Sequence, residues 1–329
     1  MSLPKLLFVG HSFHQQTGSS RFFIDLLQQH FAVTVVWDDG WKADGTPLSA
    51  DALNAHAADL TLFWQALPKR AVLRRLRCRR LFWAPMRDGI SLLPAPWRRL
   101  KPSGLRLISF CSEAHDYCTA AGLESHAVQY WPTPLETPPV IGDEPLRLFF
   151  WMRRGTPGWP TLKALLGSTR PERIVLRTVA DPGETLSLPT EAERAEYRIE
   201  QLPDWLEKTD YLRLLGSCNA FMAPRLLEGI GLSFLDAMAL GQAVIAPDRA
   251  TMNEYVHHGV NGWLYDPDAP QPLDFSTLRG LREQALRDVS DGHARWLGGL
   301  PALIGYLSDP AENRASPGWR LQRLLLGPW

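Results

Sequence analysis

The sequence predicts an α/β protein made of two parallel-sheet halves. Three observations carry that prediction. Apolar runs of roughly four to seven residues alternate with polar, helix-like stretches, which is the rhythm of β-α-β units. The rhythm breaks at residues 131–145, where Pro132, Pro134, Pro138, Pro139 and Pro145 crowd together, and then resumes. The chain has 329 residues, 45% hydrophobic and 21% charged, an ordinary globular composition long enough for two domains.

In chain order, residues 5–10 (KLLFVG) are a short apolar run closing on glycine and read as a buried strand. A loop at 11–20 leads into an amphipathic helix over 20–30. Residues 32–37 (AVTVVW) read as a second strand, and 60–64, 80–83 and 105–111 as further strands. The proline-dense stretch reads as a linker. Beyond it, 146–152 and 173–179 read as strands around a helix at 159–167. Residues 192–200 are polar and show no clear period. A helix is expected over 205–217, a short strand over 220–223, a helix over 233–240 and a strand over 243–247.

Composition excludes several classes. The 35 basic and 35 acidic residues balance, unlike a disordered chain or a uniformly basic nucleic-acid binder, and no nucleic-acid partner is expected. No apolar run approaches the ~18 residues of a spanning helix, and the start of the chain lacks the pattern of a secretory leader. The chain is therefore read as cytoplasmic. Cys78, Cys111, Cys118 and Cys218 show no metal or disulfide spacing. The balance hides a pattern, because residues 69–106 hold twelve lysines and arginines against one acid, Asp88, a local charge of +11. With Trp83 and Trp97 interleaved, this stretch suits an anionic membrane surface, and a solvated charged helix is the plainer reading.

The most informative segment is residues 224–266, PRLLEGIGLSFLDAMALGQAVIAPDRATMNEYVHHGVNGWLYD. Gly229 and Gly231 form a turn that lets backbone approach a ligand. The helix behind it offers unpaired N–H groups and a positive dipole end, a ready phosphate site. Glu228 projects a carboxylate beside that site. Asp236 reads either as a ribose contact or, with Ser233, as part of a helix cap.

This segment resembles the nucleotide-binding half of retaining GT-B glycosyltransferases, in particular family 4. Glu228 matches the first acid of the family's Glu-x7-Glu pattern, Asp236 falls at the second, and Glu254, Gly259, Asn261 and Gly262 match its tail. The resemblance implies two Rossmann-like parallel-sheet domains facing across a cleft: an acceptor-side domain over 1–143, a nucleotide-sugar domain over 144–300, and a tail at 301–329 packing back on the first. It implies that Glu228 contacts the donor sugar, that Asp236 binds ribose, and that the amides of Gly231, Leu232 and Ser233 face the diphosphate. Arg153 and Arg154 stand where the family keeps an arginine for the diphosphate. Gly158 and Trp159 occupy the region of its lysine.

In the first half, Gly10, Thr17 and Gly18 match the loop that lies near the donor in the family. His11 and His14 are candidates for substrate hydroxyls. Asp88 stands where the family often has a histidine and is the candidate base for the acceptor hydroxyl. The resemblance thus implies transfer of a sugar, with retention, from a nucleotide-diphosphate donor to a glycan or lipid-linked acceptor, in envelope or surface polysaccharide synthesis. No metal or other cofactor is expected, and peripheral contact with the inner membrane face fits the basic stretch. A non-catalytic partner subunit and a sugar-nucleotide epimerase are the alternatives.

Overall fold

The computed structural model describes residues 2–78, 80–100, 104–181 and 183–310. It divides into two units, Met1–Gln129 with Gly299–Trp329, and Tyr130–Gly298. The division falls ahead of the proline-rich stretch placed between the halves above. The reason is Trp131, whose indole is buried and packs on Tyr255 at 5.0 Å and against Gly292 of the second unit.

The first unit holds a six-stranded, all-parallel sheet of β1 (Lys5–His11), β2 (Ala32–Asp38), β3 (Leu60–Trp64), β4 (Arg80–Ala84), β5 (Arg106–Ser109) and β6 (Glu124–Ala127), in the order β2-β1-β3-β4-β5-β6. Among its described residues, its helices are α1 (Phe13–Thr17), α2 (Arg21–Gln28), α3 (Ala50–Asn54), α4 (Arg70–Arg75), α5 (Pro94–Leu100) and α6 (Ser112–Ala120). β3 and β4 are apolar and buried almost throughout because helices cover both faces of a parallel sheet. Phe8, Phe23, Trp64 and Phe110 pack into one aromatic core in tilted and edge-to-face pairs with centroids 5.2–5.7 Å apart.

The second unit repeats the plan with β7 (Arg147–Trp151), β8 (Arg173–Arg177), β9 (Ile199–Leu202), β10 (Ala220–Met222), β11 (Ala243–Pro247) and β12 (Gly262–Tyr265), all parallel, in the order β12-β11-β10-β7-β8-β9. Around it lie α7 (Trp159–Leu166), α8 (Glu191–Glu196), α9 (Lys208–Gly216), α10 (Leu232–Ala239) and the long α11 (Leu278–Ser308). Local sequence explains the helix ends. Gly158 opens α7 with Pro160 in its first turn, and Gly167 closes it at φ +54°. The polar stretch 192–200 resolves into the end of α8, begun by a Thr190–Glu193 capping box, and the edge strand β9.

α11 extends from Leu278 to Ser308, so the tail expected to start at 301 begins inside a helix. Leu303 and Leu307 are buried, and Arg80 Nη2 donates to the Leu307 carbonyl at 2.5 Å. Residues 311–329, with the apolar stretch 319–329, lie outside the described residues.

The start of β7 is pinned by Asn219, which is fully buried. Its Oδ1 accepts from the Arg147 N–H and its Nδ2 donates to the Pro145 carbonyl, both at 2.8 Å. Asn219→Ala removes both bonds from partly buried backbone groups, so we expect a loss of about 2 kcal/mol in unfolding free energy by urea titration. A loss below about 0.5 kcal/mol would show that the asparagine is not what anchors β7.

Candidate functional site

Strand order in the second sheet reverses between β7 and β10, which pair through Leu148–Ala220, Phe149–Phe221 and Phe150–Met222. At such a reversal the loops leaving neighbouring strands run to opposite faces and open a crevice at the carboxyl ends. Arg153 and Arg154 follow β7, Arg225 and Glu228 follow β10, and Asp181 follows β8, so tertiary structure gathers five charged residues from three loops.

Asp181 is the centre of that group. Arg153 contacts its Oδ1 through Nε at 2.8 Å and Nη2 at 2.7 Å, and Arg225 Nη2 contacts Oδ2 at 2.7 Å. Arg154 lies further out, 47% exposed, with Nε 3.4 Å from Oδ2 and 3.8 Å from Glu184. Burial raises the Asp181 carboxyl pKa, but the Arg153 and Arg225 charges outweigh it and leave it below the ordinary value. The Arg153 pKa is lowered, first by burial and then by the Arg225 charge, against the opposing pull of Asp181 and Glu228.

Glu228 sits half-buried in the loop before α10. Thr251, itself buried, donates its hydroxyl to the Glu228 carbonyl at 2.8 Å and to that of Gly229 at 3.3 Å, which holds this turn in place. Gly231 precedes α10 at φ +84°, and a Cβ there would overlap the Phe234 ring. Glycine is therefore required by both backbone and packing. The helix starts at Leu232, and no side chain caps it. This corrects the capping reading of Ser233 and Asp236: the left-handed Gly231 turns the chain into the helix too early for either to be a cap. Asp236 instead shares its surroundings with two tyrosines. Burial, then the Asp236 charge, pushes Tyr130 up to about 12 and raises Tyr211 as well.

Next to Arg153 lies an aromatic layer that the sequence reading did not contain. Trp151 is flanked by the Arg153 guanidinium at 4.6 Å and that of Arg177 at 4.0 Å, and Arg177 also lies 4.9 Å from the exposed Trp205. Asp181 and Arg177 were missed as well. Their one sequence signal is position just at or beyond the end of a predicted strand.

In the first unit, Gly10 belongs to β1, where a Cβ would press on the Trp37 ring at 2.7 Å. The loop expected at 11–20 contains α1. Thr17 is its last residue and is exposed, and Gly18 closes it at φ +65°. His11 and His14 stack at 4.5 Å, and His11 stacks on the half-exposed Trp41 at 5.1 Å. Asp88 lies half-buried in a short turn after β4, between Arg87, which pairs with Glu113, and Gly89. The basic stretch is partly spent on internal contacts. Arg75 pairs with Asp51 at 3.0 Å, and the buried Arg106 pairs with Glu124 at 2.6 Å and lies 4.1 Å from the Tyr306 ring. Lys69, Arg77, Arg98 and Arg99 face solvent, and Arg79 and Lys101 lie outside the described residues.

Among the described residues no group of three or more histidines, cysteines and carboxylates is placed to hold a metal ion. No described helix is long and apolar enough to cross a membrane.

Residues 188–287 match the family model described as glycosyl transferases group 1. Sucrose-phosphate synthase from Thermosynechococcus elongatus aligns over 93% of this chain and 100% of its own, at 14% identity and TM-score 0.64. HepE of Anabaena, solved in complex with UDP and glucose, aligns over 91% and 100%, at 17% identity and TM-score 0.55. The chain has the GT-B fold. A glycosyltransferase from Rickettsia africae aligns with this GT-B chain over 94% and 100%, at 10% identity and TM-score 0.63. A search of curated proteins finds no significant match. The match and the fold support glycosyl transfer as the class of chemistry. The matched segment contains Glu228, the glycine turn and Asn261, and leaves out Arg153 and Asp181. Asn261 is fully buried and closes the turn before β12, accepting from the His257 N–H at 2.7 Å and donating to the Tyr255 carbonyl at 2.9 Å.

Burial, then the His11 charge, lowers His14 to about 4 from 6.5, against a hydrogen bond with Gln65. The folded state therefore keeps His14 neutral where the unfolded chain takes up a proton. Stability is full above about pH 6.5 and falls as pH drops towards about 4, by up to about 3 kcal/mol. His14→Gln is expected to flatten that part of the pH profile of unfolding free energy. An unchanged slope would assign the effect to other groups.

Proposed function

We propose that the protein is a glycosyltransferase that moves a sugar from a nucleotide-diphosphate donor to a hydroxyl acceptor with retention of anomeric configuration. The observation that carries this reading is the meeting of Arg153, Arg225, Asp181 and Glu228 at the β7–β10 reversal, beside the glycine-led start of α10, in a unit whose segment 188–287 matches the group 1 family.

The chemistry follows from charge. Breaking the bond between the anomeric carbon and the phosphate oxygen leaves negative charge on the departing nucleoside diphosphate. Guanidiniums held in fixed positions stabilise that charge with little reorganisation. The first amides of α10 add their partial positive charge. Glu228, held by Thr251 at the backbone, faces the donor sugar, and Asp236 with its neighbouring tyrosines receives the ribose. Arg154 stands at the outer edge of the guanidinium group and meets the donor there. In this reading the reaction needs no metal, because arginines and helix amides supply the counter-charge. That HepE was solved with UDP and glucose supports a nucleotide-sugar donor.

In this reading Asp88 receives the acceptor hydroxyl's proton, and Gly10, Thr17 and Gly18 are donor-binding residues. The acceptor is an envelope or surface glycan, lipid-linked or free. The exposed Lys69, Arg77, Arg98 and Arg99 give the enzyme a cytoplasmic, peripheral contact with an anionic membrane face.

Thermal unfolding with UDP, GDP, dTDP and ADP tests the reading, since a ligand of the native state raises stability. At least one nucleoside diphosphate is expected to stabilise the protein, and its sugar conjugates to be turned over. Glu228→Gln should lower kcat about 100-fold or more while leaving nucleotide affinity within a few-fold. Absence of both binding and turnover across the panel would reject the reading.

A further inference from the structure

The guanidinium group at the β7–β10 reversal is organised by one carboxylate. Both oxygens of Asp181 are committed: Oδ1 to Nε and Nη2 of Arg153, Oδ2 to Nη2 of Arg225, with Arg154 Nε more distant. The backbone takes part as well, because the Asp181 N–H donates to the Arg153 carbonyl at 2.8 Å. Arg153 is further fixed by the Trp151 ring at 4.6 Å, and the Trp151 indole N–H donates to the Val179 carbonyl at 2.9 Å, two residues before Asp181. The loops after β7 and β8 are thus tied together at both side-chain and main-chain level.

Charge counting separates two roles for such a carboxylate. A residue present only to neutralise would match one arginine. Asp181 holds two closely and a third, which also faces Glu184, more loosely; with Glu228 and Glu184 included the group is formally neutral, so what Asp181 adds is placement of the cations. Each guanidinium has five N–H donors in a rigid plane, and Asp181 accepts from Nε and one Nη of Arg153 and from one Nη of Arg225. A carboxylate with two guanidiniums docked on its two oxygens sets their planes and spacing. That arrangement suits an anion with several oxygens, as a diphosphate has. The loop between β7 and α7 ends on Gly158 and holds no lysine, Trp159 begins α7, and Lys163 within α7 pairs with Glu193 at 2.7 Å. Arg154, the other cation of that loop, is 47% exposed and stands further from Asp181, so the second closely held cation comes from the loop after β10 as Arg225.

We propose that Asp181 is a positioning residue for the donor diphosphate, holding Arg153 and Arg225 as a pair beside Glu228, and that Arg225 serves as the second phosphate cation in place of a lysine in the β7–α7 loop. The proposal rests on the glycosyl-transfer reading above and specifies which groups of that site meet the diphosphate.

The test compares nucleoside diphosphates with the matching monophosphates, using UDP/UMP, GDP/GMP, dTDP/dTMP and ADP/AMP on the full chain. Wild type is expected to bind its preferred diphosphate at least tenfold more tightly than the monophosphate. In Asp181→Asn and Arg225→Met that ratio should fall to threefold or less, with monophosphate affinity within twofold of wild type. For the sugar donor, kcat should fall more than KM rises, because the pair meets the charge that grows as the bond breaks. Asp181→Glu should restore part of the ratio. If Asp181→Asn does not fold, Arg225→Met carries the test, since it leaves Asp181 paired with Arg153. Variants that weaken mono- and diphosphate equally, or a tighter diphosphate complex in Asp181→Asn, would overturn the proposal and leave glycosyl transfer standing. A wild-type protein that binds no nucleoside diphosphate would remove the underlying reading instead.

Discussion

The pairing of β7 with β10 is the constraint from which the candidate site follows. Two strands far apart in sequence lie side by side, and every neighbour of each runs outward from that seam. Because the two strands are parallel neighbours, the loops after β7 and β10 leave side by side at the carboxyl ends, and the reversal opens a crevice between them. Arg153 and Glu228 come together for this reason alone, with no local sequence relation between them. Asn219 helps hold the seam, because its side chain ties the residue before β10 to the start of β7.

Around that seam the energetics are those of compensated burial. Arg153 and Asp181 both lose hydration, which by itself disfavours both charges. Their contact, the second arginine and the Trp151 face offset that cost only because the geometry is close and several donors share the carboxylate. A group of this kind contributes little to folding as a surplus. Its value in the proposed reaction lies in holding positive charge still beside a departing diphosphate. The same division of labour is visible at Gly231, which gives up conformational entropy so that α10 can begin where a side chain would collide with Phe234.

The first unit has its own strand-order reversal, between β1 and β3, and polar residues gather there too. His11 ends β1 and His14 follows it, Gln65 follows β3 and Asp88 follows β4. His14 is kept neutral by burial and by its stacked neighbour, so at neutral pH it is a hydrogen-bonding group and not a cation. Elsewhere in this unit, Arg75, Arg80, Arg87 and Arg106 are drawn into internal pairs. The basic stretch is therefore less positive at the surface than its composition suggests.

Much of the fold was legible because parallel strands buried on both faces must be short continuous apolar runs. β1, β3, β7 and β11 were visible in that way. β6 and β9 were not, since the strands Glu124–Ala127 and Ile199–Leu202 are only partly covered and keep polar residues, and β12, though mostly buried, is a four-residue run that starts on Gly262. Several helices of the first unit are only five to seven residues long, too short to show a period. At the site, the sequence by itself determined the glycine turn, Glu228 and the helix behind them, because all three are local: a turn needing glycine, an acid before it, an apolar helix after it. It also supplied the arginine pair after β7. Tertiary structure alone decided that Arg153 lies innermost while Arg154 faces outward, that Arg225 joins it, and that Asp181 binds them. The physical reason is that an ion pair is set by distance in space, and Asp181 meets its arginines across strand-order neighbours that no sequence spacing records.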